Sequence, residues 1–212
     1  MEPFRLPRLY AILDGSTLRA SEIDLFVAAR QLRDAGISLV QYREKTASVP
    51  EILENARMLR TIFDGSGAIL LLNDWPEIAV KAELDGVHIG QTDAHVAAAR
   101  QIIGPNCLIG VSTHTPEQFQ AALATDANYI AYGPIFSTQT KPDAESAVGI
   151  EGLKEVRKLS DRHLVAIGGI SRERLGEVLN AGADSVALVG ALYERGRSIA
   201  ENASRLLQAV ET

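Results

Sequence analysis

The chain is predicted to be an α/β protein, a single-domain (β/α)8 TIM barrel of eight parallel strands, and three observations carry that expectation. Short apolar, β-rich runs recur eight times, each followed by a segment with helical spacing. Most runs are too apolar to leave a solvated face, which is the pattern of a parallel sheet covered by helices. Polar residues crowd the C-terminal ends of nearly every run rather than one crossover, which favours a closed barrel over an open, doubly wound sheet.

The strand-like runs lie at 8–13, 37–42, 68–73, 86–90, 107–112, 129–133, 163–169 and 185–190. Helical spacing fills 21–36, 50–63, 76–83, 94–103, 116–125, 153–159, 172–182 and 193–210. Helix punctuation agrees. Ser21 and Ser171 read as N-caps, Pro50, Pro76 and Pro116 suit a first turn, and Gly36, Gly65 and Gly182 follow helical stretches. "DGST" at 14–17 reads as an ordinary loop, and the longest connection runs from Gly133 to about Glu151. A connection of that length in a compact domain is usually functional. Residues 1–212 are read as one catalytic barrel.

The chain's 212 residues, 46% hydrophobic and 23% charged, suffice for one sizeable core. No run approaches the roughly 20 apolar residues of a membrane span, and "MEPFRLPRLY" lacks a signal-peptide layout, so a cytoplasmic protein without membrane partners is expected. The single Cys107 excludes an internal disulfide and reads as a structural thiol. Net charge is −6 with no basic block, so nucleic acid is not an expected partner and an anionic ligand needs a local cluster of cations.

Such clusters stand at the strand ends, where a barrel of this kind places its active site. "SLVQYREK" at 38–45 puts Gln41, Arg43 and Lys45 on one face of an extended chain, with Val40, Tyr42 and Glu44 on the other. Two cations and an amide on one inward face suit a carboxylate or phosphate ligand; the alternative is that the cations pair with carboxylates such as Glu44. Strand 3 ends in Asn73 and Asp74, and strand 4 in His88, Gln91 and Asp93. Asn73, Asp74 and Asp93 could cap helices. Together, however, Asp74 and Asp93 form the sparse hard-oxygen set that suits Mg²⁺ with waters and phosphate oxygens. His88 reads equally as a packed core residue or a functional one.

Strand 5 supplies Ser112, Thr113 and His114, with no sign of a hydrolase triad. The strand 6 loop brings Ser137, Thr138, Thr140 and Lys141, a donor-rich stretch that fits an anion or a solvated loop. Gly168, Gly169 and Gly190 after strands 7 and 8 allow close backbone approach in a region where barrels often hold phosphate. Two anion-handling regions around one mouth suggest an enzyme that joins two phosphorylated fragments.

"QYREK", "ND" at 73–74, "GVHIGQTD", "GVSTH", "YGPIFSTQTK", "AIGGI" and "GADSVALVGAL" stand in the order and spacing of the thiamine-phosphate synthase family, which the chain resembles over almost its whole length. The resemblance implies a transferase of the thiamine-phosphate diphosphorylase type. It would couple hydroxymethylpyrimidine diphosphate to a thiazole phosphate, plain or carboxylated, giving thiamine phosphate and diphosphate. By that resemblance Gln41, Tyr42, Arg43, Glu44, Lys45, Asn73, Ser112 and Lys141 match pyrimidine-diphosphate contacts. Arg43, Lys45, Ser112 and Lys141 would act on the reacting substrate, and Asp74 and Asp93 would hold one Mg²⁺ per subunit. Thr138, Gln139, Thr140, Gly168, Gly169, Val189 and Gly190 match the thiazole-phosphate site. The partners implied are small phosphorylated molecules, and a homo-oligomer is compatible with the chain.

Two departures stand out. The family usually ends strand 8 in valine and serine where this chain has Val189 and Gly190, and proline often precedes the first threonine of the strand 6 loop, where this chain has "FSTQTK". The alternatives are a thiazole tautomerase of the same fold, which relies on a histidine after strand 5, and a non-catalytic phosphate-ligand-binding barrel.

Overall fold

The structure is a computed structural model that describes residues 5–91, 95–138 and 145–211. Eight strands among them close a parallel barrel in sequence order: β1 (Leu9–Asp14), β2 (Leu39–Arg43), β3 (Ile69–Asn73), β4 (Gly86–Ile89), β5 (Leu108–Thr113), β6 (Tyr129–Tyr132), β7 (Leu164–Ile167) and β8 (Ser185–Leu188). The expected architecture is the observed one. Helices on the outside are α1 (Gly15–Ala20), α2 (Leu25–Asp34), α3 (Val49–Phe63), α4 (Pro76–Lys81), α5 (Val96–Ile103), α6 (Pro116–Leu123), α7 (Gly149–Arg157), α8 (Leu175–Asn180) and α9 (Ile199–Glu211).

The strands are buried on both faces, so their side chains divide between two cores. Odd and even positions alternate between them because successive strand residues point to opposite sides. Tyr10, Ile12, Leu39, Leu71, Tyr129, Ala131, Val165 and Ala187 fill the barrel interior. Leu13, Val40, Tyr42, Leu70, Leu72, Val111, Ile130 and their neighbours pack outward against the helices. Cys107 lies half-buried against that outer core, as a structural thiol should.

Helix starts follow local chemistry. Pro50, Pro76 and Pro116 sit in first turns as expected. Gly36, Gly65 and Gly182 have φ of 83°, 68° and 109° after their helices. Three expectations fail. "DGST" is not a loop: the Asp14 carboxylate accepts from the Thr17 N–H and starts α1. Ser21 is therefore the C-cap of α1, and Asp24 caps α2 by accepting from the Phe26 and Val27 amides. The C-terminal helix begins at Ile199 rather than at 193, because residues 190–193 form a 3-10 turn and Gly196 takes a φ of 87°. No described helix is long and apolar enough to cross a membrane.

Candidate active site

The alternation read in "SLVQYREK" is realised. Gln41 points into the barrel, where its Nε2 donates to the Tyr10 hydroxyl at 2.5 Å. Arg43 reaches the mouth and Lys45 stands exposed just beyond the strand. Tyr42 and Glu44 face the other way. The Tyr42 hydroxyl accepts from Asn55 of α3 at 3.0 Å, and burial pushes its pKa up to about 12. Glu44 turns to α1, where Arg19 forks onto its two oxygens at 2.6 and 3.1 Å. Burial would raise the Glu44 pKa, yet the bonds from Arg19 and from the Thr46 amide and hydroxyl outweigh it and hold the carboxyl at about 2. Gly15 makes this approach possible, since a Cβ there would lie 2.0 Å from Glu44 Oε2. The side chains of Tyr42 and Glu44, which the resemblance groups with the substrate contacts, brace the strand from behind through Asn55 and Arg19.

Both mouth cations are held by carboxylates, though not by Glu44. Parallel register places Asp14 directly beside Arg43, and the Arg43 Nη1 donates to Asp14 Oδ2 at 2.7 Å. Asp14 is buried, which opposes its ionisation. Bonds from Ser16, from the Thr17 hydroxyl and amide, and from Arg43 prevail and lower its pKa. A guanidinium has five N–H donors, so anchoring by Nη1 orients Arg43 and leaves donors for a ligand. On the other side of β2, Lys45 is paired with Asp74.

Asp74 does not cap α4. That helix begins after Trp75 with no side-chain cap, and Asp74 instead adopts a φ of 70°. Left-handed backbone outside glycine is uncommon and concentrates at functional sites, and Asp is among the residues that tolerate it best. Its amide donates to the His88 carbonyl at 2.9 Å, which ties the end of β3 to β4. Asn73 is buried, and its Nδ2 has no hydrogen-bond partner among the described residues. A buried donor left unpaired costs on the order of 1–3 kcal/mol, so Asn73 is set to meet an acceptor. The Asp74 carboxylate is a hard oxygen donor of the kind Mg²⁺ takes alongside waters and phosphates. Asp93, the other expected ligand, lies outside the described residues, as do Gln139, Thr140 and Lys141.

His88 is both packed and polar. Its Nδ1 meets the Tyr129 hydroxyl at 2.9 Å and its Nε2 meets Ser112 Oγ at 2.8 Å. Gln91 Nε2 donates to the Ser112 carbonyl at 2.6 Å. His114, by contrast, spends Nδ1 on the Gly133 carbonyl at 2.6 Å, so it fastens β5 to the end of β6. Asp14, Tyr10, Tyr129 and Arg19 were not singled out in the sequence. The polar aspartate ending an otherwise apolar β1 was the available signal for Asp14; the tyrosines carried none, because an aromatic in a strand reads as core.

The β6 to β8 side is built of backbone. The Ile135 and Phe136 amides donate to the Ile167 and Gly168 carbonyls at 2.9 and 3.0 Å, laying the β6 loop over the end of β7. Gly168 and Gly169 have φ of 100° and 62°, and a Cβ on either would come within 2.4 Å of Pro134 or the Ser137 carbonyl. Their absence of side chains is thus required by the loop above them as well as by their backbone conformation. Thr138 is half-buried at the end of the described part of that loop. Val189 and Gly190 open the 3-10 turn after β8.

The chain that forms this barrel mouth has relatives. Residues 9–192 match the sequence model of the family described as thiamine monophosphate synthase. The chain belongs to that family. Members include the thiamine-phosphate synthase of Koribacter versatilis, 42% identical across 98% of each chain. The thiamine-phosphate synthase of Chloroflexus aurantiacus is 40% identical over 87% of this chain and 84% of its own. Among solved structures, the thiamine phosphate pyrophosphorylase of Pyrococcus furiosus superposes with a TM-score of 0.85 at 29% identity, covering 96% of this chain and 95% of that one.

Proposed function

We propose that this thiamine-phosphate synthase family member couples hydroxymethylpyrimidine diphosphate to a thiazole phosphate at the barrel mouth, releasing diphosphate. The observation that supports it best is the β2 to β3 edge. There Arg43 and Lys45 stand near a buried Asn73 whose Nδ2 has no partner among the described residues, so the site offers two cations and a donor to one anionic group. Asp14 holds Arg43 in place before substrate arrives, which lowers the cost of organising the site. Asp74 and Asp93 would hold Mg²⁺, which when bound would help to neutralise the diphosphate.

In this reading the pyrimidine diphosphate lies with its phosphates against Arg43, Lys45, Asn73 and Lys141 and its ring near Gln41 and Ser112. Cleavage of the methylene–oxygen bond sends the electron pair to the departing diphosphate, whose charge Arg43, Lys45 and Lys141 balance. The electron-rich aminopyrimidine stabilises the resulting cation, and the thiazole nitrogen adds to it. No side-chain nucleophile takes part. The thiazole phosphate would sit on the other side, against Thr138, Gln139, Thr140, the Gly168–Gly169 turn and Val189–Gly190.

The test incubates the protein with both substrates and Mg²⁺ and follows diphosphate release and thiamine phosphate. Release that requires both substrates and stops with chelator is expected. Tautomerisation of a carboxylated thiazole phosphate without coupling would assign the chain to the isomerase reading. A folded protein with neither activity would leave only ligand binding.

A further inference from the structure

We propose that His88, held by Tyr129 and Tyr10, is a positioning residue that makes the Ser112 hydroxyl a hydrogen-bond donor toward the pyrimidine diphosphate. The inference rests on the reading that Ser112 meets that substrate. Its own support is a chain of hydrogen bonds crossing the barrel interior. Gln41 Nε2 donates to the Tyr10 hydroxyl at 2.5 Å, Tyr10 meets Tyr129 at 2.8 Å, Tyr129 meets His88 Nδ1 at 2.9 Å, and His88 Nε2 meets Ser112 Oγ at 2.8 Å. Gln41, Tyr10, Tyr129 and His88 are all buried.

The direction of this chain follows from counting protons. Each tyrosine hydroxyl has one proton to give, and the Gln41 amide already donates to Tyr10. Tyr10 then gives its proton to Tyr129, and Tyr129 gives its own to His88 Nδ1. The imidazole proton is left on Nε2, where it donates to Ser112 Oγ. Running the chain the other way would aim the Tyr10 proton at the Gln41 amide protons, leaving a buried donor without an acceptor. Burial raises the pKa of both tyrosines, so they keep their protons at neutral pH. Ser112 accepts from His88 and has its own proton to offer. The ligand atom it faces must therefore be an acceptor, such as a ring nitrogen or a diphosphate oxygen.

The barrel is shaped to hold this chain. Register sets Gly110 opposite Tyr129, and a Cβ on Gly110 would lie 1.9 Å from the Tyr129 ring. The His88 ring stacks on Tyr129 at 5.6 Å between centroids, and Tyr10 meets Tyr129 edge-on at 5.9 Å. Both ends, Gln41 and Ser112, are residues read as touching the pyrimidine, so one chain sets the proton polarity at each.

Two measurements test this. Nitrogen-15 NMR of the ligand-free protein, with the His88 signals assigned through His88→Gln, should show a proton on Nε2 and none on Nδ1. A neutral His88 protonated on Nδ1 would overturn the proposal whatever the kinetics. Tyr129→Phe keeps the ring and removes the hydroxyl; it should lower kcat/KM for the pyrimidine diphosphate about tenfold and leave the thiazole-phosphate KM unchanged. In a Ser112→Ala background that tenfold effect should vanish, because the tyrosine acts through the serine. An undiminished tenfold loss there would mean that the chain merely shapes the barrel, and would overturn the proposal. His88→Gln, which retains a donor, should keep more activity than His88→Leu. If Ser112→Ala alone is silent, the substrate contact itself is wrong and the proposal falls with it. The tautomer, read without substrate, tells that failure from failure of the chain.

Discussion

The two sides of the barrel mouth are built by different means. From β1 to β5 the groups are long or titratable side chains, and each is held by a neighbour: Arg43 by Asp14, Lys45 by Asp74, Ser112 by His88. From β6 to β8 the described surface is largely backbone, laid out by Gly168 and Gly169 beneath the loop that begins at Gly133. Side-chain charge suits a leaving diphosphate, whose charge grows during reaction and needs cations already in place. Backbone amides suit a phosphate that only binds, since its charge does not change. The difference also governs what mutation does. On the first side, replacing an exposed cation such as Lys45 should remove chemistry and leave the fold; on the second, a side chain at Gly168 or Gly169 would strain the fold itself.

The sharpest way to break this contrast is Lys45→Ala. With the side chain exposed, stability should hold. Yet kcat/KM for the pyrimidine diphosphate should fall by roughly 100-fold while the thiazole-phosphate KM moves less than about twofold. Equal losses for both substrates in steady-state kinetics would erase the division. Gly169→Ala should do the reverse: a strained φ and a clash with the Ser137 carbonyl should destabilise by about 2 kcal/mol, seen as a melting point lower by roughly 5 °C. An unchanged melting curve would show that the loop yields freely.

The brace behind β2 provides a pH test. The bonds from Arg19 and Thr46 hold the Glu44 carboxyl at about 2, below its ordinary 4.5, so its contribution is complete above about 4.5 and is lost as pH falls toward 2. Denaturant melts across that window should show less acid destabilisation for Glu44→Gln than for the parent chain; parallel curves would place the Arg19–Glu44 pair outside the stability of the fold. The smallest effect belongs to Gly190→Ser. An added Cβ there meets nothing within 4 Å, and a new hydroxyl should lower the thiazole-phosphate KM by about two- to threefold. A higher KM in that variant would mean that this turn binds through backbone approach, which a side chain obstructs.

Much of the barrel was legible in the chain because its signals are local. Apolar runs of strand length, prolines in first turns and glycines after helices each report on a few adjacent residues. Local pattern misleads where one residue serves several purposes: Asp14 looks like part of a turn, yet it ends β1, caps α1 and anchors Arg43. Tyr42 and Glu44 were placed on the rear face by alternation alone, although the resemblance grouped them with substrate contacts.

What the sequence determined by itself was the repeat of eight β–α units and which positions of each strand share a face, since both follow from spacing along the chain. The pairing of Arg43 with Asp14, of Lys45 with Asp74, and the passage of one hydrogen-bonded chain from Gln41 to Ser112 were decided only by tertiary structure. The physical reason is barrel closure. It sets the register between strands far apart in sequence, and hydrogen-bond partners 24 to 119 residues apart leave no trace in local pattern.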